Sequence, residues 1–262
     1  MDLNADLGEG EPLARTRALM RLITSANIAC AGHAGSVRSM EACVRLAREH
    51  SVRIGAHPGI SGEFGRLPVT LTTDAFCSLV LQQVAALDTI ARQSGTGVVH
   101  VKLHGALYHA AERENRLATA LAAVVGRWFP GVRIIGLAGG RVVAAARAAG
   151  VPAWAEGFLD RGYRAEGTLV PRGTPGAVVS EPALIEVRLR NLREGCGIPT
   201  VDGRRIEVQA ETWCVHADSP GAVRIARMAA QEWFPRAPAG ERVSARAPSG
   251  SRRPPSRRRR RA

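Results

Sequence analysis

The stretch Val98-Val99-His100-Val101-Lys102-Leu103-His104-Gly105-Ala106-Leu107-Tyr108 carries the decisive pattern. A short β-branched run, 98–101, ends in the polar residues Lys102 and His104. Gly105 then turns the chain, and a helical pattern runs from about 107 to 125. Strand, polar strand end, glycine turn and helix make one βα unit.

Outward from it the unit repeats. Strand-like runs occupy 1–5, 26–29, 52–55, 133–137, 153–155 and 213–215. Between them, Phe76, Val80, Val84, Leu87 and Ala91 recur at spacings of three and four, after Thr72-Thr73-Asp74 and before Gly95. Met40, Val44 and Ala47 do the same over 37–49, with Ser36 as cap, and further helices are expected over 141–149, 181–194 and 221–233. Roughly seven βα units in about 235 residues suit a parallel, closed or nearly closed (β/α) barrel with outer helices. No linker divides residues 1–235, which are read as one domain.

The formal charge of +13 on 262 residues is unevenly spread. Residues 236–262 hold ten arginines against Glu241, so the rest of the chain carries only +4. That segment, rich in Pro, Ala, Gly and Ser, cannot bury enough apolar surface to offset its chain entropy and is expected to be disordered. No aromatic residue interleaves its arginines for base stacking, so a nucleic-acid role is not expected, and would fall to this tail if present. No apolar run approaches the roughly 20 residues of a membrane span. Five widely spaced cysteines without a CxxC pair argue against a disulfide framework or structural zinc, and a cytoplasmic location is expected.

Of 36 basic residues, 35 are Arg and one, Lys102, is Lys. A position that stays Lys in such a chain is a candidate for chemistry a guanidinium cannot perform. In a parallel barrel the site forms at the carboxyl ends of the strands. There the sequence places Asn4, Asp6 and Glu9; Asn27 and His33; His57; Lys102 and His104; Glu156, Asp160 and Arg161; and His216 and Asp218. Each has a structural alternative. Asp6 and Glu9 suit the dipole of a following helix, Asp218 before Ser219-Pro220 suits a helix cap, and Asp160-Arg161 suits an ion pair. Convergence at nearly every strand end favours a polar pocket. The chain has no GxxxxGK[ST], GxSxG or HExxH, and Gly136 to Gly140 lacks dinucleotide spacing. Cys30 and Cys214 are read as buried filler.

The strings Asn4-Ala5-Asp6-Leu7-Gly8-Glu9-Gly10, Ile54-Gly55-Ala56-His57-Pro58, Val101-Lys102-Leu103-His104-Gly105-Ala106-Leu107-Tyr108, Glu156-Gly157-Phe158-Leu159-Asp160-Arg161-Gly162-Tyr163 and Cys214-Val215-His216-Ala217-Asp218 resemble the LamB/YcsF family. The resemblance runs from Met1 to about Phe234. It departs at Cys30-Ala31-Gly32-His33-Ala34-Gly35-Ser36, which lacks the family's aromatic and acid, and in the short loop between Pro58 and Phe64. It implies an irregular (β/α) barrel of the glycoside hydrolase/deacetylase type. It also implies the A component of an ATP-dependent 5-oxoprolinase, which opens 5-oxo-L-proline to L-glutamate with ATP and magnesium, no tightly bound metal, and partner subunits B and C. On that reading Asp6, His57, Lys102 and His104 are catalytic. Lys102 meets phosphate or a developing oxyanion, and Asp6 with His57 or His104 activates water. Asn4, Glu9, Asn27, His33, Asp160, Arg161, His216 and Asp218 bind substrate, Arg161 gripping its carboxylate. Two readings compete: a metal-dependent hydrolase or deacetylase using Asp6, His33, His57 and His216, and a diverged non-catalytic paralogue.

Overall fold

The computed structural model describes residues 1–66 and 70–234. The arginine-rich segment 236–262 lies outside the described residues. Seven strands close a barrel: β1 (Asp2–Leu7), β2 (Ser25–Ala29), β3 (Arg53–His57), β4 (His100–Lys102), β5 (Arg133–Leu137), β6 (Ala153–Phe158) and, after a small antiparallel pair β7 (Ile198–Pro199) and β8 (Arg205–Ile206), β9 (Thr212–His216). Barrel order is β1-β2-β3-β4-β5-β6-β9, every pair is parallel, and β9 closes onto β1 with Asp6 beside His216. All seven expected strands are present.

Strand period two explains the interior. β1 alternates Asp2, Asn4 and Asp6 with Leu3, Ala5 and Leu7, and all six are buried. The apolar set joins the core beneath the helices, while the polar set hydrogen-bonds across the barrel to Thr212, Asn27 and Lys102. The lumen is therefore polar, and the hydrophobic core lies between barrel and helices. At the amino-terminal end Asp2 accepts from Thr24, Ser25, Thr212 and Arg53. These bonds overcome its burial and hold the carboxyl below its ordinary value.

The outer layer comprises α1 (Leu13–Met20), α2 (Val37–Glu49), α3 (Thr73–Gln93), α4 (Gly105–Arg113), α5 (Asn115–Trp128), α6 (Arg141–Ala148), α7 (Pro182–Glu194) and α8 (Ala222–Trp233). Ser36 and Ser39 form a capping box at α2, and Thr72 accepts from the Ala75 N–H at α3. The helix expected over 107–125 is two, broken at the extended residue Glu114. The break leaves α4 over the barrel mouth while α5 packs between α3 and α6, which one straight rod could not do. The structural alternatives for the site acids at helix ends find no support, since neither α1 nor α8 has a side-chain cap. Glu11, not Asp6 or Glu9, accepts from the Gly8 and Glu9 N–H groups and the Thr16 hydroxyl. Asp218 makes no cap at α8, which follows Gly221.

Candidate active site

The carboxyl ends of the strands open into a cavity of about 320 Å³ whose lining includes Asp6, Glu9, His57, Lys102, His104 and His216 on the barrel side. Tyr108, Phe158 and Arg161 also line it, with Arg66 and Arg172 at its mouth.

Its floor is an ion cluster. Lys102 Nζ lies 2.9 Å from Asp6 Oδ1, 2.8 Å from Glu156 Oε1 and 3.1 Å from Cys214 Sγ, and 5.4 Å from the centre of the Phe158 ring. Burial alone would strip the Lys102 proton, but Asp6 and Glu156 outweigh it and hold the ammonium well above its ordinary range. Burial also opposes ionisation of Asp6. The charges of His57 and Lys102 prevail and keep its carboxyl well below the usual value. Glu156 goes the other way, raised by burial and the Asp6 charge despite Lys102. Burial places the Cys214 thiol well above its ordinary value and the Cys30 thiol at about 12, so neither is a ready nucleophile.

Above this cluster three imidazoles surround one carboxylate. Glu9 Oε1 is 2.8 Å from His33 Nε2, 3.0 Å from His104 Nδ1 and 3.5 Å from His57 Nε2. His33 stacks on His104 with centroids 3.6 Å apart and planes 3° from parallel, and His57 stands at 88° to His104. The His57 Nδ1 lies 2.7 Å from the Lys102 carbonyl oxygen, which only accepts, so Nδ1 carries the hydrogen and Nε2 faces Asp6, Glu9 and His104. His33 also packs against Gly59, where any Cβ would collide with its ring. Its burial lowers its pKa to about 4, leaving a neutral ring whose Nε2–H donates to Glu9.

A third group joins β6 to β9. Asp160, fully buried, accepts from His216 Nδ1 at 3.0 Å, from the His216 backbone N–H at 2.9 Å and from the Ser219 hydroxyl at 2.5 Å. Burial resists its ionisation, but the His216 charge and these bonds bring it down to about 2. His216 stacks on Phe158, and its Nε2 lies 3.8 Å from Asp6 Oδ2. The arrangement fixes one imidazole nitrogen on a buried carboxylate and presents the other to the cavity.

The mouth is cationic. Arg66 and Arg172 share Asp218, Arg66 Nη2 lying 2.5 Å from Oδ2. Arg161 is not paired with Asp160: its Nε donates to the Ala177 carbonyl and its Nη2 to the Val170 carbonyl. Burial and the neighbouring Arg172 push its pKa down, the mark of a positive charge without a full counter-ion.

Of the expected site residues, Asp6, Glu9, His57, Lys102, His104, Arg161 and His216 line the cavity together. Asn4 and Asn27 lie a layer below, fully buried, with Asn27 donating to Asn4 and Asp6 and accepting from His100. Asp160 and His33 stand behind His216 and Glu9, and Asp218 sits at the mouth. The set Asp6, His33, His57 and His216 does not converge: His33 groups with Glu9, His57 and His104, and His216 with Asp6 and Cys214. Sequence reasoning placed Glu156 among the strand-end polar residues without a chemical role, read Cys214 as buried filler, and gave Phe158, Arg66 and Arg172 no role. Glu156 and Phe158 share the strand period that points Asp2, Asn4 and Asp6 inward, a usable signal. The Gly136 to Gly140 turn offers no phosphate cradle, because Glu112 already accepts from the Leu137, Arg141 and Val142 N–H groups there.

Residues 1–236 match the LamB/YcsF family. Among solved structures, the lactam utilization protein from Thermus thermophilus is 35% identical, covers 88% of this chain and 95% of its own, and superposes with a TM-score of 0.81. Two weaker likenesses cover 88% of this chain. One is a candidate cellobiose-phosphate cleavage protein from Enterococcus faecalis, at 14% identity, 93% of its own length and a TM-score of 0.47. The other is a T48 deacetylase with substrate, at 12%, 81% and 0.36. Neither of these two bears on the function of this chain. The match over residues 1–236 and the 35% identity leave one conclusion: the chain belongs to the LamB/YcsF family.

Proposed function

We propose that this chain opens a small lactam acid, 5-oxo-L-proline, to L-glutamate, as the A component of an ATP-dependent 5-oxoprolinase working with partner subunits B and C. The family and the similar lactam utilization protein support a 5-oxoprolinase-related hydrolase. The observation that carries the finer reading is the opposition inside one small cavity. A buried Lys102–Asp6 pair and a carboxylate-held His216 face a mouth lined by arginines.

A five-membered lactam is a poor electrophile, and phosphorylation of its oxygen by ATP supplies activation and driving force. His216 Nε2 and Asp6 Oδ2 frame the place of an attacking water, with Asp160 keeping the His216 Nδ1–H in position. Lys102 Nζ brings a compact positive charge to the oxygen on which charge develops. Arg66, Arg161 and Arg172 make the mouth attractive to the substrate carboxylate. A bidentate grip by Arg161 would draw on guanidinium hydrogens not already given to Ala177 and Val170.

The test is glutamate release from 5-oxo-L-proline with magnesium and ATP, comparing this chain alone, subunits B and C alone, and all three. Glutamate is expected only from the full mixture, and lost with Lys102→Arg. No glutamate from the mixture, while a working A component succeeds beside it, overturns the proposal.

A further inference from the structure

We propose that Glu9, His57 and His104 hold one divalent transition-metal ion of the zinc class above the ion cluster at the cavity floor. This departs from the expectation, drawn from the family resemblance, that the chain keeps no tight metal, and it does not rest on the proposed reaction.

The first argument is distance. His57 Nε2 and His104 Nδ1 are 3.0 Å apart, His104 Nδ1 and Glu9 Oε1 3.0 Å, and His57 Nε2 and Glu9 Oε1 3.5 Å. Bonds of about 2.0–2.1 Å to a tetrahedral ion set donors about 3.3 Å apart. The second argument is direction. An imidazole binds a metal in its own plane, and the planes of His57 and His104, 88° apart, intersect. His33 and His104 are parallel at 3.6 Å, so no point lies in both ring planes, and His33 cannot share the ion with His104. His33 instead donates to Glu9 and holds it in place. The third is the outer support. His57 Nδ1–H donates to the Lys102 carbonyl, the bond that commits Nε2 as the ligand nitrogen. Asp6, which accepts from Lys102 and Asn27 at Oδ1, belongs to the neighbouring group with Cys214 and His216. Mixed imidazole and carboxylate donors suit zinc or its neighbours, and all three residues line the cavity.

The competing account is a proton shared between His57 and His104 with no affinity for metal. The full chain, stripped with chelator, is dialysed against zinc alone or cobalt alone and its metal content and visible spectrum are recorded. One ion per chain is expected. Glu9→Gln and His104→Gln should each weaken binding at least about tenfold, while Asp218→Asn changes it less than about twofold. Circular dichroism of each metal-free variant checks its fold. Should either variant unfold, wild-type protein still decides: bound cobalt shifts the proton resonances of two ligand imidazoles, His57 and His104. No stoichiometric metal, unchanged affinity in both folded variants, or His33 shifted as a third ligand overturns the proposal.

Discussion

Lys102 sits buried between two carboxylates, 2.9 Å from Asp6 and 2.8 Å from Glu156. Removing it leaves Asp6 and Glu156 buried together, so Lys102→Met is expected to destabilise the fold by about 3–5 kcal/mol in denaturant titrations. Adding Glu156→Gln should restore part of that loss, because one of the stranded charges disappears. Equal stabilities for the single and double variants would mean that the two side chains are not coupled. Asp160 is a positioning residue for His216. In Asp160→Asn the amide offers Nδ1 a donor as readily as an acceptor, so the tautomer is no longer enforced. In the glutamate-release assay kcat is expected to fall about 10²–10⁴-fold with a smaller change in KM. A fall of less than about threefold would remove His216 from proton transfer. The single lysine among so many arginines made Lys102 legible in the sequence. The same abundance hid Arg66 and Arg172, because nothing local separates a mouth arginine from a surface one.

Strands were legible and helix breaks were not, for a physical reason. β1 carries a polar and apolar alternation, and its polar half has no place to go but the lumen. The break at Glu114 leaves no local mark. Both halves keep helical spacing, and only packing of α5 between α3 and α6 bends the chain there. β7 and β8 span two residues each, too short for any period to show. Gly55 shows how one strand constrains its neighbour. It pairs beside His100, and a Cβ on it would collide with the His100 imidazole, a rigid ring already bonded to Asn27. Gly55→Ala is therefore expected to cost about 1–3 kcal/mol or more by overpacking. Adding His100→Ala should recover part of it. If Gly55→Ala alone leaves the thermal midpoint unchanged, β3 and β4 are looser than the closed barrel requires.

At the scale of the whole molecule, a polar lumen makes stability depend on pH. His100 is fully buried among β-strands. Burial is the largest influence on it, and with the charges of Lys102, Arg53 and Arg133 it outweighs the pull of Asp2, lowering the pKa from 6.5 to about 3. Such a group stays neutral in the fold while the unfolded chain takes up a proton below about 6.5. Its share of the stability is thus complete above that value and is lost as pH falls from 6.5 toward 3. Asp160 acts later. Its folded value, about 2, lies below the ordinary 3.8, so its contribution holds above 3.8 and disappears only as pH falls through 2. The order matters: acid weakening between pH 6 and 4 belongs to neutral buried histidine, and the carboxylates follow. The slope attributable to one such histidine approaches about 1.4 kcal/mol per pH unit across that window. His100→Gln, which keeps a donor for Asn27 and cannot titrate, is expected to be less stable than wild type at pH 7. It should also lose stability less steeply toward pH 4. Urea titrations at half-unit steps measure both slopes. Parallel curves would place the acid sensitivity elsewhere in the barrel and show that His100 can be protonated inside the fold.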